Sequence, residues 1–150
     1  MKDMIYRIYE LKFYLNAQHY ITIDGKRGQL HPHTWEFTLR FQLPRDSFVE
    51  FSQVEKKIQE YLAPYQNQVM NDVVPFDTLE PTVENMTDYF AQEFQRLIAK
   101  MQGNLLEVRN SETPTRSYIV ELEANASENG KNPDVVSRAL DHALDEIIHE

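Results

Sequence analysis

Two long runs of this chain alternate apolar and polar residues with period two, and eleven residues separate them. In the first, Tyr9, Leu11, Phe13, Leu15, Ala17 and His19 share one face against Glu10, Lys12, Tyr14 and Asn16. In the second, His31, His33, Trp35, Phe37, Leu39, Phe41 and Leu43 oppose Thr34, Glu36, Thr38, Arg40 and Gln42. Successive strand side chains point to opposite faces, so each run reads as a half-buried strand. The turn-rich connection Asp24-Gly25-Lys26-Arg27-Gly28 lets the two pair antiparallel. Such a hairpin has an apolar face that something else in the chain must cover.

The middle of the chain supplies the cover. Pro44 ends the second strand, and Ser52-x-x-Glu55 has the form of a capping box ahead of Val54, Ile58, Tyr61 and Leu62, which predicts a helix from 52 to 62. Thr82 precedes Val83, Met86, Tyr89, Phe90, Phe94, Leu97, Ile98 and Met101, a stripe of period near 3.6 that Gly103 closes. Two further strand-like runs, 105–112 and 117–123, flank the turn signal Thr113-Pro114-Thr115. The expected order is ββααββ, an α+β domain over residues 1–124. Beyond it, 125–132 is polar and reads as a linker. From Pro133 onward Val136, Leu140, Ala143, Leu144 and Ile147 form one stripe, which predicts a C-terminal amphipathic helix packed on the same domain (125–150).

A chain of 150 residues has ordinary single-domain size, and a hydrophobic fraction of 41% can supply its core. The opening MKDMIYRIYELKF carries charge every few residues, which leaves neither a signal-peptide core nor a membrane span, so a cytoplasmic location is expected. A net charge of -9, with no cluster of Lys and Arg among aromatics, argues against nucleic acid as a partner. There is no cysteine, which excludes disulfides, thiolate ligands and a cysteine nucleophile.

Three histidines stand out against this background. His31 and His33 lie two apart on one strand and project from the same face, and His19 ends the strand expected beside it. Three neutral imidazoles on rigid strands, with no fourth protein ligand apparent, describe a Zn2+ site whose open position takes water or a substrate oxygen. The plainer reading is a strand start with two partly buried histidines satisfied by hydrogen bonds.

The runs Leu15-Asn16-Ala17-Gln18-His19, His31-Pro32-His33-Thr34, Pro81-Thr82-Val83-Glu84-Asn85 and Ser111-Glu112-Thr113-Pro114, in this order, resemble the 6-pyruvoyltetrahydropterin synthase and 6-carboxytetrahydropterin synthase family over residues 4–122. The resemblance implies the tunnelling fold, a four-stranded antiparallel sheet with two helices on one face. It implies zinc on His19, His31 and His33, ligating the side-chain oxygens of a reduced pterin. It further implies that Glu112 anchors the pterin ring, helped by Thr82, and that small sheets join edge to edge into a homo-oligomer, a hexamer of two trimers.

The family pattern is broken at its proton carriers. Arg27 stands where the family has its catalytic cysteine, and no acid lies nearer than Asp24. Gln66-Asn67 stands at the family's Asp-His pair, Glu50 where Asp precedes Phe, and Pro32 where glycine separates the histidines. Neither amide can act as a general base near neutral pH. Asp141-His142 has the right composition for a replacement, but adjacent helix residues diverge by about 100° and these read as surface. Asn125-Ala126-Ser127 matches a glycosylation acceptor, which carries no meaning in a cytoplasmic protein. Three functions are compatible with this inventory. One is a zinc-dependent pterin synthase or lyase with altered proton transfer, acting on a substrate such as dihydroneopterin triphosphate. Another is a pterin-binding or scaffold homologue without turnover, and the third a zinc hydrolase unrelated to pterins.

Overall fold

The computed structural model describes residues 7–44 and 50–123. The two alternating runs form β1 (Tyr9–His19) and β4 (His31–Gln42), paired antiparallel from Tyr9↔Phe41 to His19↔His31. Between them lies a minute hairpin, β2 (Thr22–Ile23) and β3 (Lys26–Arg27). Its turn residues Asp24 and Gly25 have φ of 51° and 76°, the two left-handed positions of a type I′ turn.

The helix α1 (Phe51–Leu62) buries Val54, Ile58 and Leu62, as its spacing predicts, but the expected capping box does not form. Glu50 is the N-cap, without a side-chain bond, and the Ser52 hydroxyl instead reaches the Glu50 carboxylate at 3.3 Å. Starting the helix one residue early brings the Phe51 ring edge-on against Tyr9, at 5.1 Å between centroids. Helix α2 (Val83–Lys100) is capped as expected, the Thr82 hydroxyl accepting from the Asn85 amide at 3.0 Å. Its end differs from the sequence expectation. Gln102, with φ of 64°, takes the left-handed position, and Gly103 follows it, donating to the Ile98 carbonyl at 2.9 Å. Gly103 is required for space, since a Cβ there would meet Ile98 Cγ2 at 2.8 Å and the Gln42 carbonyl at 3.0 Å.

The chain closes with β5 (Asn104–Thr113) and β6 (Arg116–Glu121), giving one antiparallel sheet in the order β1-β4-β5-β6. The helices cover its apolar face, and Phe37 meets Phe90 and Phe94 edge-on at 5.5 Å each, within a core where Trp35, Leu39, Phe41 and Ile98 are also fully buried. This is the α+β, ββααββ tunnelling-fold arrangement with an added small hairpin. No helix among the described residues is long and apolar enough to cross a membrane. The expected C-terminal helix, Asn125-Ala126-Ser127 and Asp141-His142 lie outside the described residues.

The segment 63–82 has no periodicity and holds two short 3-10 turns, Ala63–Tyr65 and Met70–Asp72. It is tied along the outer edge of β1. Gln66 accepts from the Asn16 amide at 2.9 Å and donates to the Tyr14 carbonyl at 2.8 Å, and the Asn67 amide donates to the Asn16 carbonyl at 2.6 Å. Further on, Gln18 bridges to Val69, and Asn71 bonds both the amide and the carbonyl of Tyr20. An edge that would otherwise present unpaired backbone is thereby covered over its C-terminal half.

Candidate metal centre

The register of β1 and β4 sets His19 directly opposite His31, with His33 one step along the same face. One ring nitrogen from each of the three lies within 4.8 Å of the others, a group able to hold a metal ion. The expected triad is therefore assembled on two adjacent strands.

Backbone carbonyls fix two of the rings. His19 Nδ1 lies 2.8 Å from the Pro81 oxygen and His31 Nδ1 lies 2.9 Å from the Gln29 oxygen. A carbonyl only accepts, so each Nδ1 carries a proton and, in the neutral ring, each Nε2 carries a bare lone pair. Those two Nε2 atoms face each other at 2.9 Å. Two lone pairs at this distance repel unless a cation lies between them, and in tetrahedral zinc coordination with Zn–N near 2.0–2.1 Å the nitrogens stand roughly 3.3 Å apart. The donor set thus fits a divalent metal, with carbonyl partners behind the ligands that orient them.

Burial holds the His19 imidazole below the ordinary histidine value of 6.5; its Pro81 bond opposes this, as does Glu112 more weakly, and the other two imidazoles reinforce it. His33 is lowered for the same first reason, with Glu112 opposing and His31 reinforcing. Both effects favour the neutral, metal-binding form. Beneath the cluster Trp35 is fully buried, its ring 5.0 Å from His19 and 5.1 Å from His33.

Glu112 follows Asn110 by two on β5 and so shares its face, the one that the histidines and Phe37 occupy on β4. The β5–β6 register passes from Ser111↔Ser117 to Thr113↔Arg116, so Glu112 is also the extra residue of a bulge. Its Oε1 lies 3.7 Å from Nε2 of both His19 and His33. Thr82 follows the Pro81 carbonyl that anchors His19, and its hydroxyl, which accepts from Asn85, has its own proton still to donate.

The positions of the broken family pattern are occupied structurally. The Arg27 guanidinium stacks over the Tyr20 ring at 3.9 Å, the Gln66 amide is committed at both ends to β1, and Asn67 adopts φ of 62°. Asn67 also lines an open recess of about 380 Å3 with Asn16, Gln18, Pro32, His33 and Thr34. The roles of Pro81 and Asn71 carry no local signal, because Pro81 acts through its own carbonyl on the His19 ring and Asn71 through the backbone of Tyr20, 62 and 51 residues away in sequence.

No curated protein matches the chain. Among solved structures, Caenorhabditis elegans 6-pyruvoyl tetrahydropterin synthase is similar at 18% identity with a TM-score of 0.64, over 82% of this chain and 100% of that one. A catalytic-residue mutant of Plasmodium vivax 6-pyruvoyltetrahydropterin synthase is similar at 16% identity and a TM-score of 0.58, over 78% and 99%. An uncharacterized protein from Wolinella succinogenes matches at 13% identity and 0.56, over 78% and 99%. These likenesses are of fold. The family model described as 6-pyruvoyl tetrahydropterin synthase matches residues 8–123, a span that takes in all four sheet strands, both helices, the three histidines and Glu112, and the chain belongs to that family.

Proposed function

We propose that this chain holds one zinc ion on His19, His31 and His33 and binds a reduced pterin, such as dihydroneopterin triphosphate, as a 6-pyruvoyl/6-carboxytetrahydropterin synthase-like protein with altered proton-transfer machinery. The observation that carries the reading is the pair of Nε2 lone pairs set 2.9 Å apart by carbonyl-anchored rings, within a chain of this family. Zinc bound there would supply Lewis acidity toward a ligand oxygen.

The remaining roles fall to the chain's own groups. Glu112 presents a carboxylate suited to two parallel N–H donors, the edge that a pterin offers. Thr82 has a hydroxyl proton to give beside the His19 anchor. Arg27 favours an anionic substituent on the ligand. Among the described residues no strand pairs with the outer edge of β6 or with the N-terminal half of the outer edge of β1, which supports a closed homo-oligomer, for which the family expectation is a hexamer of two trimers.

A second reading, a pterin-binding homologue without turnover, is favoured by one observation. Gln66 is engaged in holding β1, so the residue standing at the family's proton carrier has become part of the scaffold. Incubation of the zinc-loaded protein with dihydroneopterin triphosphate, followed by mass spectrometry, separates the two: a carboxy- or pyruvoyl-tetrahydropterin product supports the enzyme, and unchanged but bound substrate supports the second reading. Absence of any binding would overturn both.

A further inference from the structure

We propose that Glu112 is the fourth ligand of the resting metal centre, and that its carboxylate leaves the metal only when a pterin ring edge draws it away. The inference rests on the reading of this site as a metal centre that binds a pterin, and it replaces an open fourth position with one that the chain itself closes.

Distance carries the first part. Neighbouring ligands around tetrahedral zinc stand roughly 3.3 Å apart. Glu112 Oε1 stands 3.7 Å from Nε2 of both His19 and His33, a few tenths of an ångström beyond the ligand spacing toward those two rings. The same oxygen would lie well beyond this if the side chain extended into solvent, and its side chain is only 18% exposed.

Charge carries the second part. His19 Nε2 is the bare atom of a ring whose proton sits on Nδ1 against Pro81, so it has no hydrogen to give the carboxylate. Among the described residues no lysine or arginine pairs with Glu112, and the basic groups beside it are the two imidazoles. A mostly buried carboxylate facing a lone pair is unfavourable alone and favourable with a divalent cation between them. Strand alternation places Glu112 on the face of Asn110, which lies opposite Phe37 on the histidine face of β4.

A site closed in this way discriminates. A simple anion can offer the metal a ligand but gives the displaced carboxylate nothing, whereas a pterin offers oxygen donors and an N–H edge together. Glu112 thereby acts on selectivity as well as on binding.

The test uses the full chain, stripped of metal and reloaded with Co2+, whose visible absorption reports coordination. The wild-type spectrum is expected to be unmoved by millimolar azide and to change on adding 7,8-dihydroneopterin. Glu112→Gln is expected to lose Co2+ and Zn2+ affinity about ten- to a hundredfold in chelator competition and to respond to azide. Glu112→Asp keeps the charge on a shorter arm, and is expected to fall between the two. An azide response in the wild type overturns the proposal whether or not the variants fold. So does a Glu112→Gln affinity within twofold of wild type, or a Glu112→Asp spectrum and azide response identical to those of Glu112→Gln with unchanged affinity, which would mean charge acting from outside the coordination shell. Calorimetry of 7,8-dihydroneopterin on the zinc-loaded wild type separates the underlying reading. Absence of pterin binding beside an azide-resistant centre would overturn the pterin reading and the displacement by it, while supporting Glu112 as a ligand.

Discussion

His19 Nδ1 donates to the Pro81 carbonyl at 2.8 Å across 62 residues of sequence, joining the end of β1 to the residue before the α2 cap. This one bond fixes the tautomer that turns Nε2 toward His31. The expected outcome is about one zinc per chain, lost in the His31→Ala, His33→Ala double variant. Metal analysis after dialysis decides it, and full zinc in that variant would refute the ligand set.

Trp35 is the chain's single tryptophan and its ring lies 5.0 Å from that of His19. Titrating Co2+ into the metal-free protein should quench its fluorescence with the stoichiometry of one site. Quenching that persists undiminished in His19→Gln would place the ion elsewhere.

Acidification should destabilise the metal-free protein. His19 and His33 titrate below 6.5 in the folded chain, chiefly through burial, so the unfolded chain takes up protons first as pH falls. Their contribution is complete above about 6.5 and is lost as pH falls from there through the lowered folded values. Thermal midpoints of the metal-free protein at pH 7.5 and 5.5 should show this fall, and a smaller one in His19→Gln. An equal fall in both would assign the acid sensitivity to other groups.

The hairpin and α2 are legible in the sequence because each buries one face and the burial has a period. Tyr9 to His19 alternate in the structure as they do in the chain, and His31 to Phe41 do so except at Thr38, which is buried as well. The triad is legible for the same reason, since three histidines on one face of two neighbouring strands must meet. Three features are not legible. Segment 63–82 is held by Gln66 and Asn71 bonding to the backbone of β1, and no local window contains both partners. The bulge at Glu112 adds one residue to one strand, which alternation does not reveal. The start of α1 is decided by Phe51 packing on Tyr9, which outweighs the local capping pattern at Ser52.

Because Gln66 is a tie, its removal should act on stability. Gln66→Ala loses two hydrogen bonds to β1 near the surface and should cost about 1–2 kcal/mol in urea unfolding. Gly103→Ala should cost about 1–3 kcal/mol, because the added methyl meets Ile98, Gln42 and Leu43 at 3.1 Å or less. Either variant unfolding like wild type would show that the loop or the turn yields without cost.

The last expectation concerns turnover, and its two halves rest on different residues. Binding of a reduced pterin should survive, because the triad, Thr82 and Glu112 are all present and a small ligand held at both ends is well fixed. Calorimetry should show binding that Glu112→Ala abolishes. Turnover by the family route should be slow, because a proton must pass to an acceptor within hydrogen-bond reach. Arg27 is stacked on Tyr20 and a guanidinium has no acceptor to offer, while the Gln66 and Asn67 amides accept no proton at neutral pH. A steady-state assay with dihydroneopterin triphosphate should therefore yield little product. Release of 6-carboxytetrahydropterin at about 1 per second or faster, within the usual enzyme range, would show that another group serves as the base. Asp24, at the tip of the β2–β3 turn, and the Asp141-His142 pair are then the residues to substitute first, and the one whose loss stops product formation is that base.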